Sequence, residues 1–338
     1  MPALILVVGG AGYIGSHTAL ALREAGFRTL VLDDFSTGHR EALLGGDHVE
    51  IDLLDAARVE AALRAHRPDA VVHFAARCYV GESVRDPGLY WRNNVGGTLN
   101  LLQAMVGADV RRIVFSSTCA TYGVPDTVPI EETCPQRPIN PYGNSKLACE
   151  HLLQDFGPAH GLAAIALRYF NAAGADPRGR LGEDHRPETH LIPLALAAAA
   201  RRRPPLQVYG DDYPTPDGTC IRDYIHVSDL ATAHVLALQD LLDGGVAAGT
   251  GFRAFNLGNG NGASVAEVVA ACARVTGRDV PHEVVARRPG DPPRLVGSTA
   301  RIAAALGWRP RHSALERIVA DAWAWYERHP HGYADAAS

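Results

Sequence analysis

An aliphatic run, Leu4-Ile5-Leu6-Val7-Val8, breaks into Gly9-Gly10-Ala11-Gly12-Tyr13-Ile14-Gly15 and then into a helical pattern over 16–25 that Gly26 closes. No other stretch restricts the fold so narrowly. A continuous aliphatic strand is buried on both faces, which is the habit of parallel sheets covered by helices. The glycines let the chain turn sharply and let a pyrophosphate approach the backbone at a helix N-terminus. A second strand over 29–32 ends in Asp33-Asp34, an acid about twenty residues past the turn. In that context Gly9, Gly12, Gly15 and Asp33 predict a dinucleotide site. Asp33 would accept hydrogen bonds from both adenosine ribose hydroxyls and repel a 2′-phosphate, which favours NAD over NADP.

The alternation continues. Asp55 caps a helix running to about His66, Pro68-Asp69 turns the chain, and 70–75 reads as another buried strand. A helix over 93–106, a strand over 112–117 ending at Thr118, a helix from Pro141 and a strand over 163–169 follow. Strict alternation predicts a doubly wound, Rossmann-type parallel sheet, whose ligands bind beyond the carboxyl ends of the strands. Past Asn171 the texture turns to Gly, Pro, Asp and Arg. The expected division is a dinucleotide-binding domain over 1–175 and a smaller mixed α/β substrate domain over 176–338, interleaved, with segments near 221–260 returning to the first. Helices are expected over 191–203 and over 264–274, the latter opened by the capping-box pattern Ser264-Val265-Ala266-Glu267. Two short aliphatic stretches, 224–227 and 254–257, are candidates to extend the large sheet.

Tyr142 and Lys146 stand four apart at the start of a helix, and so share one face. A phenol with an ordinary pKa of ~10 is a poor base unless a cation favours the phenolate. Lys146 is placed to be that cation. With Thr118 at the end of a neighbouring strand, the three groups gather at the mouth of the predicted sheet.

A net charge of −5 gives no basic field of the kind a nucleic-acid partner needs. The six cysteines are scattered without a CxxC pair, so neither a zinc site nor a thioredoxin motif is indicated. The 15 histidines include no HxxxH, and His185 and His190 read as polar loop residues, so no metal is expected. No basic leader precedes the first strand, and the apolar run 191–200 is too short to span a bilayer, so a cytoplasmic protein without membrane contact is expected.

Together these blocks resemble the extended short-chain dehydrogenase/reductase family, and within it the UDP-hexose 4-epimerases. The resemblance covers nearly the whole chain. It is carried by the glycine turn, Val80-Gly81-Glu82-Ser83, Asn93-Asn94-Val95, Arg168-Tyr169-Phe170-Asn171, Gly182-Glu183-Asp184, Asp211-Asp212-Tyr213-Pro214-Thr215 and Arg222-Asp223-Tyr224-Ile225-His226-Val227. It implies resident NAD that takes a hydride from C4 of a UDP-hexose and returns it to the other face, with Tyr142, Thr118 and Lys146 as the catalytic groups. It places further cofactor contacts on Tyr13, Ile14, Asp34, Phe35, Ser36, Thr37, Gly38, Asp52, Leu53, Phe74, Ala75, Asn93, Ser116, Tyr169 and Phe170. Substrate contacts are implied at Asn171, Leu191, Tyr209 near the uracil, Arg222 and Arg288 for the diphosphate, Asp291 for a ribose hydroxyl, and Leu295, whose size bears on a 2-acetamido group. A homodimer joined through the helices over 93–106 and 142–156 is also implied. A related dehydratase would need an acid pair directly after the catalytic threonine, where Cys119-Ala120 stand. A reductase using NADPH is disfavoured by Asp33, and a non-catalytic sensor on this fold would not need the three groups together.

Overall fold

In the computed structural model, which describes residues 2–246, 251–288 and 291–333, the aliphatic run forms β1 (Leu4–Val8), an interior strand of a seven-stranded sheet. The other strands are β2 (Arg28–Asp33), β3 (Asp47–Glu50), β4 (Ala70–His73), β5 (Arg112–Thr118), β6 (Ala163–Tyr169) and Phe252–Leu257. Their spatial order is Phe252–Leu257, β6, β5, β4, β1, β2, β3, and all neighbours run parallel. The chain winds outward from β1 through β2 and β3, then crosses back to lay β4 on the other side of β1. That reversal makes the carboxyl ends of β1 and β4 the switch point at which such sheets bind ligands.

Helices cover both faces, as the unbroken aliphatic strands require. One face packs Ile5, Val7, Val72 and Ile165 against Ala19 and Leu22 of helix Tyr13–Glu24 and against Leu230, Ala237 and Leu241 of helix Val227–Leu242. Ile302 and Trp308 enter the same core. The opposite face packs Leu6, Val71, Ile113 and Ala164 against Val59, Leu63, Leu102, Met105 and Leu153. A separate core of Ile192, Leu196, Val268, Cys272 and Ile318 joins helices Leu191–Ala199, Val265–Thr276 and Leu315–Arg328.

Several boundaries differ from the sequence reading, each for a local reason. The first helix begins at Tyr13 because Gly12 is extended and serves as its N-cap. β4 stops at His73 because the Phe74 and Ala75 amides both turn back to donate to the Val8 carbonyl, at 2.7 and 3.1 Å. The helix expected over 191–203 ends at Ala199, with Arg201 in the left-handed region at φ 58°. Helix Gly97–Gly107 is preceded by a π-helical turn, Trp91–Gly96. Of the two candidate sheet extensions, Phe252–Leu257 pairs with β6, but Tyr224–His226 instead pairs with Asn171–Ala173 in a two-stranded sheet of its own. Ser264 and Glu267 form the expected capping box. Residues 247–250, inside the stretch expected to return to the sheet, lie outside the described residues.

A buried polar cluster fastens helix Pro141–His160 to the sheet. Glu150 is fully buried, and Arg168 on β6 donates to its two carboxylate oxygens at 3.0 and 2.6 Å. Ser117 on β5 donates to Glu150 at 2.5 Å, Gln136 donates to it at 3.2 Å, and Arg168 also donates to the Tyr122 hydroxyl at 2.8 Å. Removing one partner strands the other's charge without water, which costs roughly 3–5 kcal/mol for a buried pair. Glu150→Ala is therefore expected to lower the unfolding free energy by about that much, as read from urea denaturation. A loss below about 1 kcal/mol would show that the pair is solvated.

Candidate active site

The glycine turn leaves a cradle of the right kind for a pyrophosphate. A Cβ on Gly9, which has φ +77°, would lie 2.4 Å from the Ala75 amide nitrogen, and one on Gly15 would lie 2.1 Å from the Gly9 carbonyl. These two glycines let strand, loop and helix close on one another. Gly12 is different: a Cβ there would meet only the Gly9 carbonyl oxygen, at 3.6 Å. The helix that Gly12 begins has no side-chain cap and no acid in its first turn. Its first amides, at Tyr13 and Ile14, are thus free of protein acceptors of the usual capping kind and suit an anion.

Asp33, buried at the end of β2, locks this turn from the side. One carboxylate oxygen accepts the Ala11 amide at 2.9 Å and the other the Phe35 amide at 2.9 Å. Burial raises its pKa and these amides draw it back down. Each oxygen keeps a lone pair for a ribose hydroxyl. Asp34 accepts from the Ser36 amide and hydroxyl, Phe35 stands at φ 56° beneath the Arg40 guanidinium, and Gly38 packs on Ala11, where a Cβ would come within 2.8 Å. Thr37 is exposed on the same loop. On the other side of β1 lie Phe74 and Ala75, while Asp52 caps the Leu54 amide and Leu53 packs beneath Gly97. The residues fit a dinucleotide at its adenosine and pyrophosphate ends.

The reacting end lies past β5 and β6, whose register sets Thr118 beside Tyr169. Pro141 at the first turn and Asn140, whose side chain accepts the Gly143 amide at 2.8 Å, start the helix just before Tyr142. The Tyr142 ring meets Tyr90 edge-on. Lys146 is buried, donates to the Ser116 carbonyl at 2.9 Å and lies 4.8 Å from the centre of the Phe115 ring. The Ser116 hydroxyl shares a short hydrogen bond with the Tyr169 hydroxyl. Asn93 lies nearby on the π-turn.

Burial pushes the Tyr142 phenol well above its ordinary value, Tyr169 and Cys78 add to the rise, and hydrogen bonding with Thr118 opposes it. Tyr142 keeps some exposed surface, so this reflects the protein packed around its hydroxyl. The Lys146 ammonium is turned to the Ser116 carbonyl and the Phe115 ring. Burial lowers the Lys146 pKa in turn. Within the polypeptide both groups are held toward their neutral forms.

Of the residues expected around a nucleotide sugar, Arg222, Asp291 and Leu295 lie together. Strands Ile221–Arg222 and Arg294–Leu295 pair in parallel with Leu295 against Arg222. The Arg222 guanidinium donates to Asp291 at 3.1 Å and to the Pro292 carbonyl at 2.9 Å. Leu295 packs with Phe170 and with Cys119, the neighbour of Thr118. The Asn171 amide donates to the Asp223 carbonyl, beside Arg222. Leu191 opens helix Leu191–Ala199, and Arg288, exposed, covers the Tyr209 ring at 3.8 Å.

The model of the NAD dependent epimerase/dehydratase family matches residues 5–258. The chain belongs to that family. It is 50% identical over 329 residues to the UDP-glucose 4-epimerase of Halalkalibacterium halodurans, covering 97% of each protein. The crystal structure of the Brucella ovis UDP-glucose 4-epimerase with NAD superposes with a TM-score of 0.92 at 54% identity, over 95% of this chain and 98% of that one. The Stenotrophomonas maltophila UDP-glucose-4-epimerase, with bound NAD and formylated UDP-arabinopyranose, gives 0.92 at 39% identity, over 97% and 99%.

Residues that the sequence reading passed over support this epimerase-family site. Asn94 is buried on the π-turn, where it accepts the Arg77 amide at 2.8 Å and donates to the Arg77 carbonyl and to Ser145, both at 3.0 Å. It ties the segment after β4 to the tyrosine helix. Asp223 is also buried and accepts the amides of Asn259, Gly260 and Gly297, so one carboxylate fixes three loop positions. An Asn-Asn pair and an Arg-Asp pair were visible in sequence, but nothing there marked which member turns inward. His185 and His190, read as separate loop residues, converge with Glu183 and Glu188.

Asp33→Ala removes the acceptor of the Ala11 amide in the glycine turn and of the Phe35 amide after β2. It is expected to weaken NAD retention at least about tenfold, the cost of one or two charge-assisted hydrogen bonds, while the fold persists. Nucleotide released on denaturing the purified protein, compared with wild type, is the measure.

Proposed function

We propose that this protein inverts C4 of a UDP-hexose, interconverting UDP-galactose and UDP-glucose through a transient 4-keto sugar. The observation that carries the reading is the convergence of the Thr118 hydroxyl, the Tyr142 phenol and the Lys146 ammonium at the ends of β5 and β6, on a sheet whose first turn fits a dinucleotide. It is supported by about half of all residues being shared with UDP-glucose 4-epimerases along nearly the whole chain. NAD, when bound, supplies an acceptor for the C4 hydride and returns it.

The chain's own groups handle the proton and the positioning. With its phenolate favoured by Lys146 together with the positive charge of a bound nicotinamide, Tyr142 would take the proton of the 4-hydroxyl, directly or through Thr118, and give it back after the sugar has turned over. Lys146, held by the Ser116 carbonyl, would hold the nicotinamide ribose. Arg222 and Arg288 offer planar donor forks to the diphosphate, with Tyr209 at the uracil and Asp291 at a ribose hydroxyl. Asn171 and Leu191 complete the proposed substrate wall. Elimination of water is disfavoured because the residue after Thr118 is Cys119, whose thiol burial pushes up to about 12.

The division into a dinucleotide domain over 1–175 and a substrate domain over 176–338 belongs to the same reading, as do a homodimer formed through the helices that carry Asn93 and Tyr142, a cytoplasmic setting and a role in galactose metabolism. Among the described residues no helix is long and apolar enough to cross a membrane. Tyr142→Phe should fold and keep NAD yet lose roughly 10²–10⁴-fold in turnover of UDP-galactose; undiminished turnover would remove the phenol from its role. Leu295→Tyr should slow UDP-N-acetylgalactosamine more than UDP-galactose when each is supplied separately without added cofactor and the products are identified. Equal slowing would show that Leu295 is no gate.

A further inference from the structure

We propose that Glu183, His185, Glu188 and His190 form a binding site for a zinc-type divalent cation that clamps the loop 183–190 beside the glycine turn. The four donor atoms all lie within 4.8 Å of one another. Around the ring they alternate: Glu183 Oε1 lies 3.2 Å from His185 Nδ1 and 2.9 Å from His190 Nδ1, and Glu188 oxygens lie 3.5 Å from His185 Nδ1 and 2.9 Å from His190 Nδ1. A tetrahedral ion with bonds of ~2.0–2.1 Å spaces its ligands by about 3.3 Å, close to the four Glu–His distances, so an ion would have to draw in the pairs across the ring, which lie within 4.8 Å.

Glu188 Oε1 accepts the Thr189 and His190 amides and meets the His190 ring, but two other buried atoms of the cluster are left over, and they point to a ligand. The Glu183 side chain is only 6% exposed, and its Oε1 has no hydrogen bond of acceptable geometry despite its two near neighbours. His185 Nδ1 is equally buried and equally unbonded. Buried polar atoms of this kind are rare and call for a partner. Two imidazoles and two carboxylates form a borderline donor set that favours zinc over calcium or magnesium, which prefer oxygen alone. A cleft of about 400 Å³ bordered by Glu183, His185, Glu188, Leu194 and Trp325 gives an ion its way in.

The position suggests what the ion does. Tyr13, the first residue of the glycine-turn helix, meets the His185 ring edge-on at 6.0 Å, and Tyr79 meets it at 6.3 Å. His190 is the N-cap of the helix that begins with Leu191. A bound ion would hold the first turn of that helix and the cofactor loop in fixed relation without touching the reacting groups.

Full-length protein, stripped of metal by a chelator, is titrated with ZnCl2 by calorimetry and with CoCl2 by visible absorption. The expected result is one ion per chain and a tetrahedral cobalt spectrum. Glu183→Gln and His190→Gln should each weaken binding at least about tenfold, since losing even an outer-shell partner costs 10- to 100-fold. Absence of saturable binding, or wild-type affinity in the folded double variant, would overturn the site. Should the variants fail to fold, wild type decides alone: an octahedral cobalt spectrum or saturation only at several equivalents would equally overturn it.

Discussion

The pair between Glu150 and Arg168 holds the reacting groups in place. Tyr142, Lys146 and Glu150 follow one another at intervals of four along one helix face. Glu150 anchors that face to β5 through Ser117 and to β6 through Arg168, Lys146 meets the Ser116 carbonyl, and Tyr142 reaches past the sheet's edge. The strands obey their own period of two. Ser117 and Arg168 turn toward the helix, while Ser116 and Tyr169 turn to the opposite face and bond each other. One stripe of a helix therefore carries both the anchorage and the groups proposed to react. A shift in the buried pair moves the phenol with it.

Burial is the second constraint, and it acts on both Tyr142 and Lys146. It raises the Tyr142 phenol and lowers the Lys146 ammonium, so each resists taking its charge within the polypeptide. A site built this way does not hold a standing phenolate. Its base becomes strong only when further positive charge enters the same dry space, where Coulomb terms are several-fold larger than in water.

What the sequence disclosed follows from how local each signal is. The aliphatic strands, the glycine turn and Asp33 were legible because burial on both faces, sharp turning and amide capping each demand a particular residue type at one place. The capping box at Ser264 and the cap at Asp55 were legible for the same reason. The π-turn over Trp91–Gly96 was not, since it depends on Asn94 bonding two distant segments at once. Strand Tyr224–His226 shows the limit from another side: its aliphatic pattern marks a buried strand but cannot say whether β6 or Asn171–Ala173 will pair with it. Glu183, His185, Glu188 and His190 match neither helical nor strand periodicity, and only the folded loop brings them face to face.

The proposed substrate wall would suit a sugar that must present both faces to one phenol. Such a sugar has to be held by its nucleotide end while the hexose is free to turn. The structure divides these tasks. Arg222 is braced by Asp291 and by the Pro292 carbonyl, and the next residue, Asp223, fixes the backbone at Asn259, Gly260 and Gly297 through three amides. A Cβ on Gly258 would strike the Asp223 carboxylate, and one on Gly297 would strike the Phe170 ring, so neither loop has slack. Toward Thr118 the wall instead offers Leu295, Phe170 and Cys119. These side chains donate no strong hydrogen bond that would favour one orientation of a hexose hydroxyl over another. Firm polar grip at one end and apolar indifference at the other is what rotation of a tethered sugar requires.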